Sequence, residues 1–236
     1  MASNNKFSEM SVSAIITAAG KGSRMNLDTK KQFLRIYDKP IIVSTLEKFV
    51  NTKIFDEIII TIAREDMDCL REIFFSEYDF SQDLIKIVVG GKTRQESVLN
   101  GLKASTNPDG VIVIHDGVRP FVREDEIKQI VLLANRDGAA TVAIPAKNTI
   151  KKAEHGKVIS TLHRESLWET LTPQAFRFSI LYDAHIKAQE NKLKTNDDAE
   201  LVEKIGIPVF IQKGFPENIK ITTPFDLEIA EELLKQ

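Results

Sequence analysis

Five short runs are apolar along nearly their whole length: Val12–Thr17, Glu57–Ile62, Leu84–Val89, Val111–Ile114 and Ala139–Ile144. A strand with one wet face alternates polar and apolar residues; these runs do not, so each reads as a strand buried on both faces. The stretches between them repeat at helical spacing. Ile41, Ile42, Thr45, Leu46 and Phe49 follow Pro40, a residue suited to a helix start, and Val98, Leu99 and Leu102 mark a helix over Arg94–Ala104. Glu65–Phe75 and Glu124–Asn135 read as two more helices. Alternating buried strands and helices predict an α/β fold with a mostly parallel central sheet covered on both faces. Ligands of such sheets bind beyond the carboxyl ends of the strands. Three unusual loops, Gly20–Lys31, Gly90–Arg94 and His115–Pro120, fall at such ends.

The rhythm breaks at about residues 146–163. Two short stretches around His155-Gly156 predict a β-hairpin with too few large apolar residues to be core. It reads as a protruding arm that grips a second subunit. Beyond it, helices are expected at Asn196–Ile205 and Asp226–Leu234, and short strands near Val209–Ile211 and Ile219–Thr222. No linker or repeat divides the chain, so residues 1–236 are expected to form a single domain, with the arm as its appendage and residues 1–10 as a loose tail.

Composition narrows the function. The net charge is -2, so no basic excess points to nucleic acid. The single cysteine, Cys69, excludes an intrachain disulfide and fits a reducing compartment. There is no run of about 18 apolar residues to cross a membrane, and the polar Met1–Met10 has no signal-peptide core. A cytoplasmic location is the expectation.

The loop after the first strand carries Gly20, Gly22, Arg24, Lys30 and Lys31. Glycines let main-chain N–H groups approach phosphate oxygens, and the cations would neutralise them. The alternative is an ordinary strand-to-helix turn. It is not a dinucleotide fingerprint, because Met25 stands where the third glycine belongs and Thr61-Ile62-Ala63 offers no acid after the second strand. Gly91-Lys92-Thr93 is not a P-loop either, since Lys86 replaces the first glycine. Spacings for zinc ligands and the G-x-S-x-G elbow are missing.

Four further clusters each have two readings. Asp116 with Arg119 suits a metal–phosphate or ribose site, or else a plain ion pair at a turn. His115 reads as a packed core histidine rather than a catalyst. Thr172 before Pro173 is a phosphate-binding hydroxyl or a turn. Asn196-Asp197-Asp198 is a helix cap or a substrate contact, and Lys220 is a solvated strand lysine or part of a cationic site.

Taken together, the chain resembles the 2-C-methyl-D-erythritol 4-phosphate cytidylyltransferase family over roughly residues 12–235. The shared residues are Ala18-Ala19-Gly20-x-Gly22-x-Arg24-Met25, Lys31-Gln32, Gly90-Gly91-x-x-Arg94, Ser97-Val98, His115-Asp116-x-x-Arg119-Pro120, Leu167-Trp168, Thr172-Pro173-Gln174, Asp197-Asp198-Ala199 and Asn218-Ile219-Lys220. The resemblance implies a Rossmann-like nucleotidyltransferase fold and a homodimer with interlocking arms. It implies that CMP passes from CTP to a polyol phosphate with Mg²⁺ and release of pyrophosphate. Arg24, Lys31 and Lys220 would be catalytic. Ala18, Ala19, Gly20, Gly22, Gly91, Arg94, Ser97 and Asp116 would bind the nucleotide, with Asp116 near Mg²⁺. Arg119, Thr172 and Asn196, with Thr149 and Arg164 from the other subunit's arm, would bind the acceptor. Three positions depart from the family pattern: Lys30 replaces the usual proline and adds charge, Asn196 replaces a threonine, and Lys92 replaces an acid. A ribitol 5-phosphate cytidylyltransferase is the nearest rival; a non-catalytic nucleotide-binding domain is the rival from another class.

Overall fold

In a computed structural model, residues 7, 10–20 and 30–235 are described. The strand β1 (Val12–Thr17) is followed by a two-stranded ribbon of β2 (Arg35–Ile36) and β3 (Lys39–Pro40), then by helix α1 (Ile41–Thr52) and strand β4 (Glu57–Ile62). Next come α2 (Met67–Arg71), β5 (Ile85–Val89), α3 (Arg94–Ala104), β6 (Val111–Asp116), α4 (Glu124–Asp137) and β7 (Ala139–Pro145). The arm is β8 (Lys151–Glu154) and β9 (Lys157–Thr161). The chain closes with β10 (Trp168–Arg177), α5 (Phe178–Glu190), α6 (Asp198–Lys204), β11 (Phe210–Lys213) and α7 (Pro224–Leu233).

Seven strands form one sheet in the order β11-β7-β10-β6-β1-β4-β5. β1 pairs in parallel with β4 and β6, as does β4 with β5 and β7 with β11. Only β10 runs antiparallel, between β6 and β7. The period of two in a strand then assigns the core. Ile16, Ile58, Ile60 and Val113 meet Leu46, Phe49, Ile127 and Ile130 on one side. Their sequence neighbours Ile15, Ile59, Ile112 and Ile114 meet Val98, Leu102, Leu181 and Leu201 on the other. The strands are apolar throughout because both faces are covered.

Several expectations are corrected. Val111–Ile114 continues through His115 to Asp116, because pairing with β1 runs to the Thr17–Asp116 register and both extra residues are buried. The helix expected over Glu65–Phe75 is a 3₁₀ turn at Arg64–Asp66, then α2, then π-helical turns over Glu72–Glu77. Those wide turns bury the adjacent Ile73 and Phe74 together. The helices written as Asn196–Ile205 and Asp226–Leu234 begin at Asp198 and Pro224, after the capping side chains of Asp197 and Thr223. Ile219–Thr222 is no strand; its main chain meets the loop after β6 through Ile221 N–H donating to Val118 O at 3.0 Å. β10 and α5 were not expected. Pro173 argues against a central strand, and the pairing with β7 is irregular between Thr170 and Gln174, where that proline sits.

The end of the sheet away from the site is fastened by Glu57. Its buried carboxylate accepts hydrogen bonds from Ser13 Oγ (2.9 Å), Thr106 N–H (2.9 Å), Ser105 Oγ and Lys86 Nζ (2.6 Å). Burial alone would raise its pKa; these donors outweigh it and lower it to about 2. A depressed carboxylate stabilises the fold above its unfolded pKa of about 4 and loses that contribution as the pH falls toward the folded value. Glu57→Gln is therefore expected to cost on the order of 2–3 kcal/mol in urea denaturation at pH 7. The penalty should shrink at pH 3; an equal penalty at both would show that the charge is irrelevant.

Candidate active site

The register sets Thr17 level with both Thr61 and Asp116. The loops after β1, β4 and β6 therefore leave the sheet side by side. They border a cavity of about 850 Å³ whose lining includes Ala18, Ala19, Gly20, Lys31, Gly91, Arg94, Ser97, Asp116 and Lys220. Lys31 lies over Gly20: a Cβ there would stand 3.8 Å from Lys31 Cε and 4.0 Å from its Nζ. Arg24 and Gly22 lie outside the described residues. The opposite wall is tight. Ser97 Oγ accepts from Gly91 N–H at 3.0 Å and donates to Thr93 O at 2.9 Å. A Cβ at Gly91 would run into Glu96, so only glycine lets this loop close on the start of α3.

A second cavity, about 470 Å³, adjoins the first and shares Arg94, Asp116 and Lys220 with it. Its own walls include Arg119, Thr172, Gln174, Asn196 and Asp197. Asp116 stands at the junction and gathers three cations. Its Oδ2 meets Lys220 Nζ at 2.9 Å and Arg119 Nε at 3.3 Å, and its Oδ1 meets Arg94 Nε at 3.4 Å. Burial would raise its pKa, but Lys220, Arg94 and Arg119 hold the carboxyl well below the usual range. One negative charge thus holds cations from three distant parts of the chain beside each other. The ion pair expected between Asp116 and Arg119 exists, and it is one arm of this larger cluster.

The cluster is braced from behind. His115 is fully buried, and burial lowers its pKa to about 4. The neutral ring that follows has one consistent tautomer: Nε2–H donates to Arg119 O (3.1 Å), and Nδ1 accepts from Thr172 Oγ1 (3.1 Å). Thr172 Oγ1 in turn accepts from Asp116 N–H at 3.1 Å. His115 is thus a packed, bracing histidine. Arg119 Nη1 donates to Asn218 O at 2.8 Å, which joins the β6 end to the segment carrying Lys220. Lys220, one third exposed, is not a solvated strand lysine.

His185 and Gln174, which the sequence left without a role, complete the site. Arg94 Nη1 contacts Asp198 Oδ2 at 2.6 Å, and Asp198 Oδ1 contacts His185 Nε2 at 3.0 Å. Burial opposes both charges, but Arg94 and His185 hold the Asp198 carboxyl low. Arg94 Nη2 is buried with no hydrogen-bond partner, although Arg94 lines both cavities. Gln174 Oε1 accepts from Asp198 N–H (3.1 Å) and Ala199 N–H (3.3 Å), so it caps α6 beside Asp197, which accepts from Glu200 N–H at 2.8 Å. Of the two readings of the acidic motif, the cap is present, through Asp197, while Asp198 is turned to Arg94. His185 carried no local signal, since it lies on one face of an ordinary amphipathic helix.

Some expected residues stand elsewhere. Thr149 and Arg164 are exposed and line neither cavity of their own chain. Asn196 borders the second cavity, but its main-chain N–H and its Nδ2 donate to Glu200 Oε2 at 2.8 and 3.1 Å. Lys30 does not simply add charge to the loop: it pairs with Glu65 at 2.9 Å and Asp66 at 2.7 Å. Among the described residues no cluster of three or more His, Cys, Asp or Glu could hold a metal. Both oxygens of Asp116 already face cations. Among the described residues, then, Asp116 is the carboxylate shared by both cavities, and no cage surrounds it. That suits a hard divalent ion that arrives on substrate phosphates and keeps most of its water.

A family model described as 2-C-methyl-D-erythritol 4-phosphate cytidylyltransferase matches residues 12–236. A protein of that name from Clostridium botulinum is 44% identical over 225 residues, covering 95% of this chain and 97% of the relative. One from Clostridioides difficile is 42% identical over 222 residues, covering 94% and 93%. The crystal structure of 4-diphosphocytidyl-2C-methyl-D-erythritol synthase from Anaerococcus prevotii superposes with a TM-score of 0.83 at 30% identity, covering 96% of this chain and 99% of that one. Motif order, strand topology and near full-length coverage agree: the chain belongs to the 2-C-methyl-D-erythritol 4-phosphate cytidylyltransferase family.

Proposed function

We propose that this chain transfers CMP from CTP to 2-C-methyl-D-erythritol 4-phosphate in isoprenoid precursor synthesis. An acceptor phosphate oxygen bonds to the α-phosphorus. The bond from that phosphorus to the bridging oxygen breaks, and pyrophosphate leaves with the electron pair. No covalent enzyme intermediate is required, because a phosphate monoester dianion is itself the nucleophile. The protein's task is to bring two anions together and spread the charge that grows between them.

The observation that carries this reading is the shared wall. Lys31 and Lys220, 189 positions apart, line one cavity, and Lys220, Arg94 and Asp116 also line the next. CTP would lie in the larger cavity, its base against Gly91 and Ser97 and its triphosphate along Gly20, Gly22, Arg24 and Lys31. Ala18 and Ala19 leave room for it. The acceptor phosphate would lie in the smaller cavity against Arg119, Thr172 and Lys220, with Asn196 at its rim. The unpartnered Nη2 of Arg94 is a donor that a ligand oxygen would satisfy. Mg²⁺ would come with the triphosphate, with Asp116 as the carboxylate near it. It would offset charge on the leaving pyrophosphate.

The arm supports a homodimer. Every residue of β8 and β9 is exposed, and Val158, Ile159 and Leu162 put apolar surface there. A partner's arm would bring Thr149 and Arg164 to the acceptor pocket, so one catalytic unit would span residues 1–236 with the arm at about 146–163 reaching across. Among the described residues no helix is long and apolar enough to cross a membrane; we place the reaction in the cytoplasm, where CTP is made.

The test is pyrophosphate release with each of the four nucleoside triphosphates against methylerythritol phosphate and ribitol 5-phosphate. CTP with methylerythritol phosphate should be used best. The family match does not favour ribitol 5-phosphate, and preference for it would overturn the acceptor assignment. CTP binding without pyrophosphate release would mark a binding domain instead.

A further inference from the structure

Behind the acceptor pocket lies a buried acid that the reaction does not use. Glu126, in the first turn of α4, is 1% exposed. Its Oε2 receives Asn218 Nδ2 at a long 3.4 Å, and its Oε1 has no hydrogen-bond partner among side chains. Asn218 is itself buried and holds two acceptor-pocket residues. Its Nδ2 donates to Thr172 O at 2.8 Å, and its main-chain O accepts from Arg119 Nη1 at 2.8 Å. The amide of Gln212 touches Glu126 as well, through Nε2 donating to Glu126 O at 3.0 Å. Both amides keep a buried oxygen, Asn218 Oδ1 and Gln212 Oε1, with no donor. A proton on the carboxyl is the donor that this group of acceptors lacks.

We propose that Glu126 is a positioning residue that, as the neutral acid, holds Asn218 and through it sets Arg119 and Thr172 for the acceptor phosphate. Burial raises its pKa to about 7, against weaker lowering by main-chain N–H groups and Arg123. The charged surroundings are sparse. Arg123 precedes its helix and is shared with Glu217 at 3.6 Å, and the helix itself carries Glu124, Asp125 and Lys128 beside it. On β6, His115 stays neutral and Asp116 is taken by its three cations. β7 carries no charged residue; Glu169 and Arg177 on β10 and Lys213 on β11 are exposed. On α1, Glu47 pairs with Lys39, and Lys48 is half-buried. Arg119 is the cation that senses Glu126 from the site side. Ionised Glu126 would compete for Arg119 with the acceptor phosphate, so acceptor binding should weaken as pH rises through about 7.

This rests on the acceptor site proposed above, and its test has an arm that needs no turnover. Glu126→Gln keeps size and neutrality and supplies a donor. At pH 6 its acceptor KM should match wild type within about twofold. Near pH 8.5 the wild-type acceptor KM should exceed that of the variant by about three- to tenfold, with KM for CTP unchanged in both. The acceptor's own phosphate ionisation, near pH 6, is common to both proteins and cancels in the ratio. Calorimetry with inorganic phosphate as the probe should show the same pH-dependent divergence in affinity. Glu126→Ala should raise acceptor KM about tenfold at pH 6. A constant wild-type-to-Gln ratio from pH 6 to 8.5, in KM and in phosphate affinity, would overturn the proposal even if Glu126→Ala fails to fold. If no acceptor is turned over, the functional reading fails alone, and the phosphate titrations still decide Glu126.

Discussion

Lys31→Ala is expected to lower kcat by about 10²–10³-fold, the usual cost of removing one preorganised charge from a reacting centre, while CTP affinity falls far less. The asymmetry comes from timing. Ground-state triphosphate already carries its charge and, in the proposed pose, would have partners besides Lys31. The additional charge that develops as the pyrophosphate leaves is met by whichever cation stands nearest, and Lys31 lies over Gly20 on the wall of the larger cavity. Steady-state kinetics beside direct titration of CTP measure the two effects separately. Equal losses in binding and turnover would remove Lys31 from the transition state and leave it a binding residue.

Asp116→Ala should produce the second large effect, on both stability and rate. Among the described residues, its carboxylate is the one ion-pair partner of Lys220 and one of two for Arg94. Without it, three cations would stand together around a buried gap. Breaking a buried pair in this way costs about 3–5 kcal/mol, or roughly 10 °C in Tm for a chain of this size. Turnover should fall with it, because Arg119 and Lys220 would separate. Asp116→Asn would keep the hydrogen-bond acceptor and lose the charge. It should recover part of the stability and little of the rate. The acid dependence has a definite sign. The Asp116 pKa is depressed on folding, so its contribution is complete above about pH 4, the unfolded value, and drains away below it. Thermal melts of wild type and Asp116→Asn should therefore converge as pH falls from 5 toward 2. A constant gap would assign the loss to packing alone.

Much of the fold is legible in the sequence. Val12–Thr17, Glu57–Ile62 and Arg94–Ala104 begin and end where the periodicity places them. Each is a long, regular pattern whose burial follows from its own residues. β10 was hidden because Pro173 and the polar Thr170, Thr172 and Gln174 look unlike a central strand, and their partners lie far away in sequence. Lys220 was legible as a member of a motif, but its isolated sequence looked like a solvated strand. Its ion pair with Asp116 spans about a hundred positions, and no local signal records such a distance.

By itself, then, the order of residues determined the kinds of element, the parallel sheet and the end of that sheet where a ligand would sit. Hydrophobic periodicity is a local property, and strand direction forces loops to the same edge. Only the tertiary structure decided which charges meet. The Arg94–Asp198–His185 chain, the three cations on Asp116 and the buried acid at Glu126 exist because separate segments pack together and exclude water. Once water is gone, each polar group must find its partner across the fold rather than along the chain.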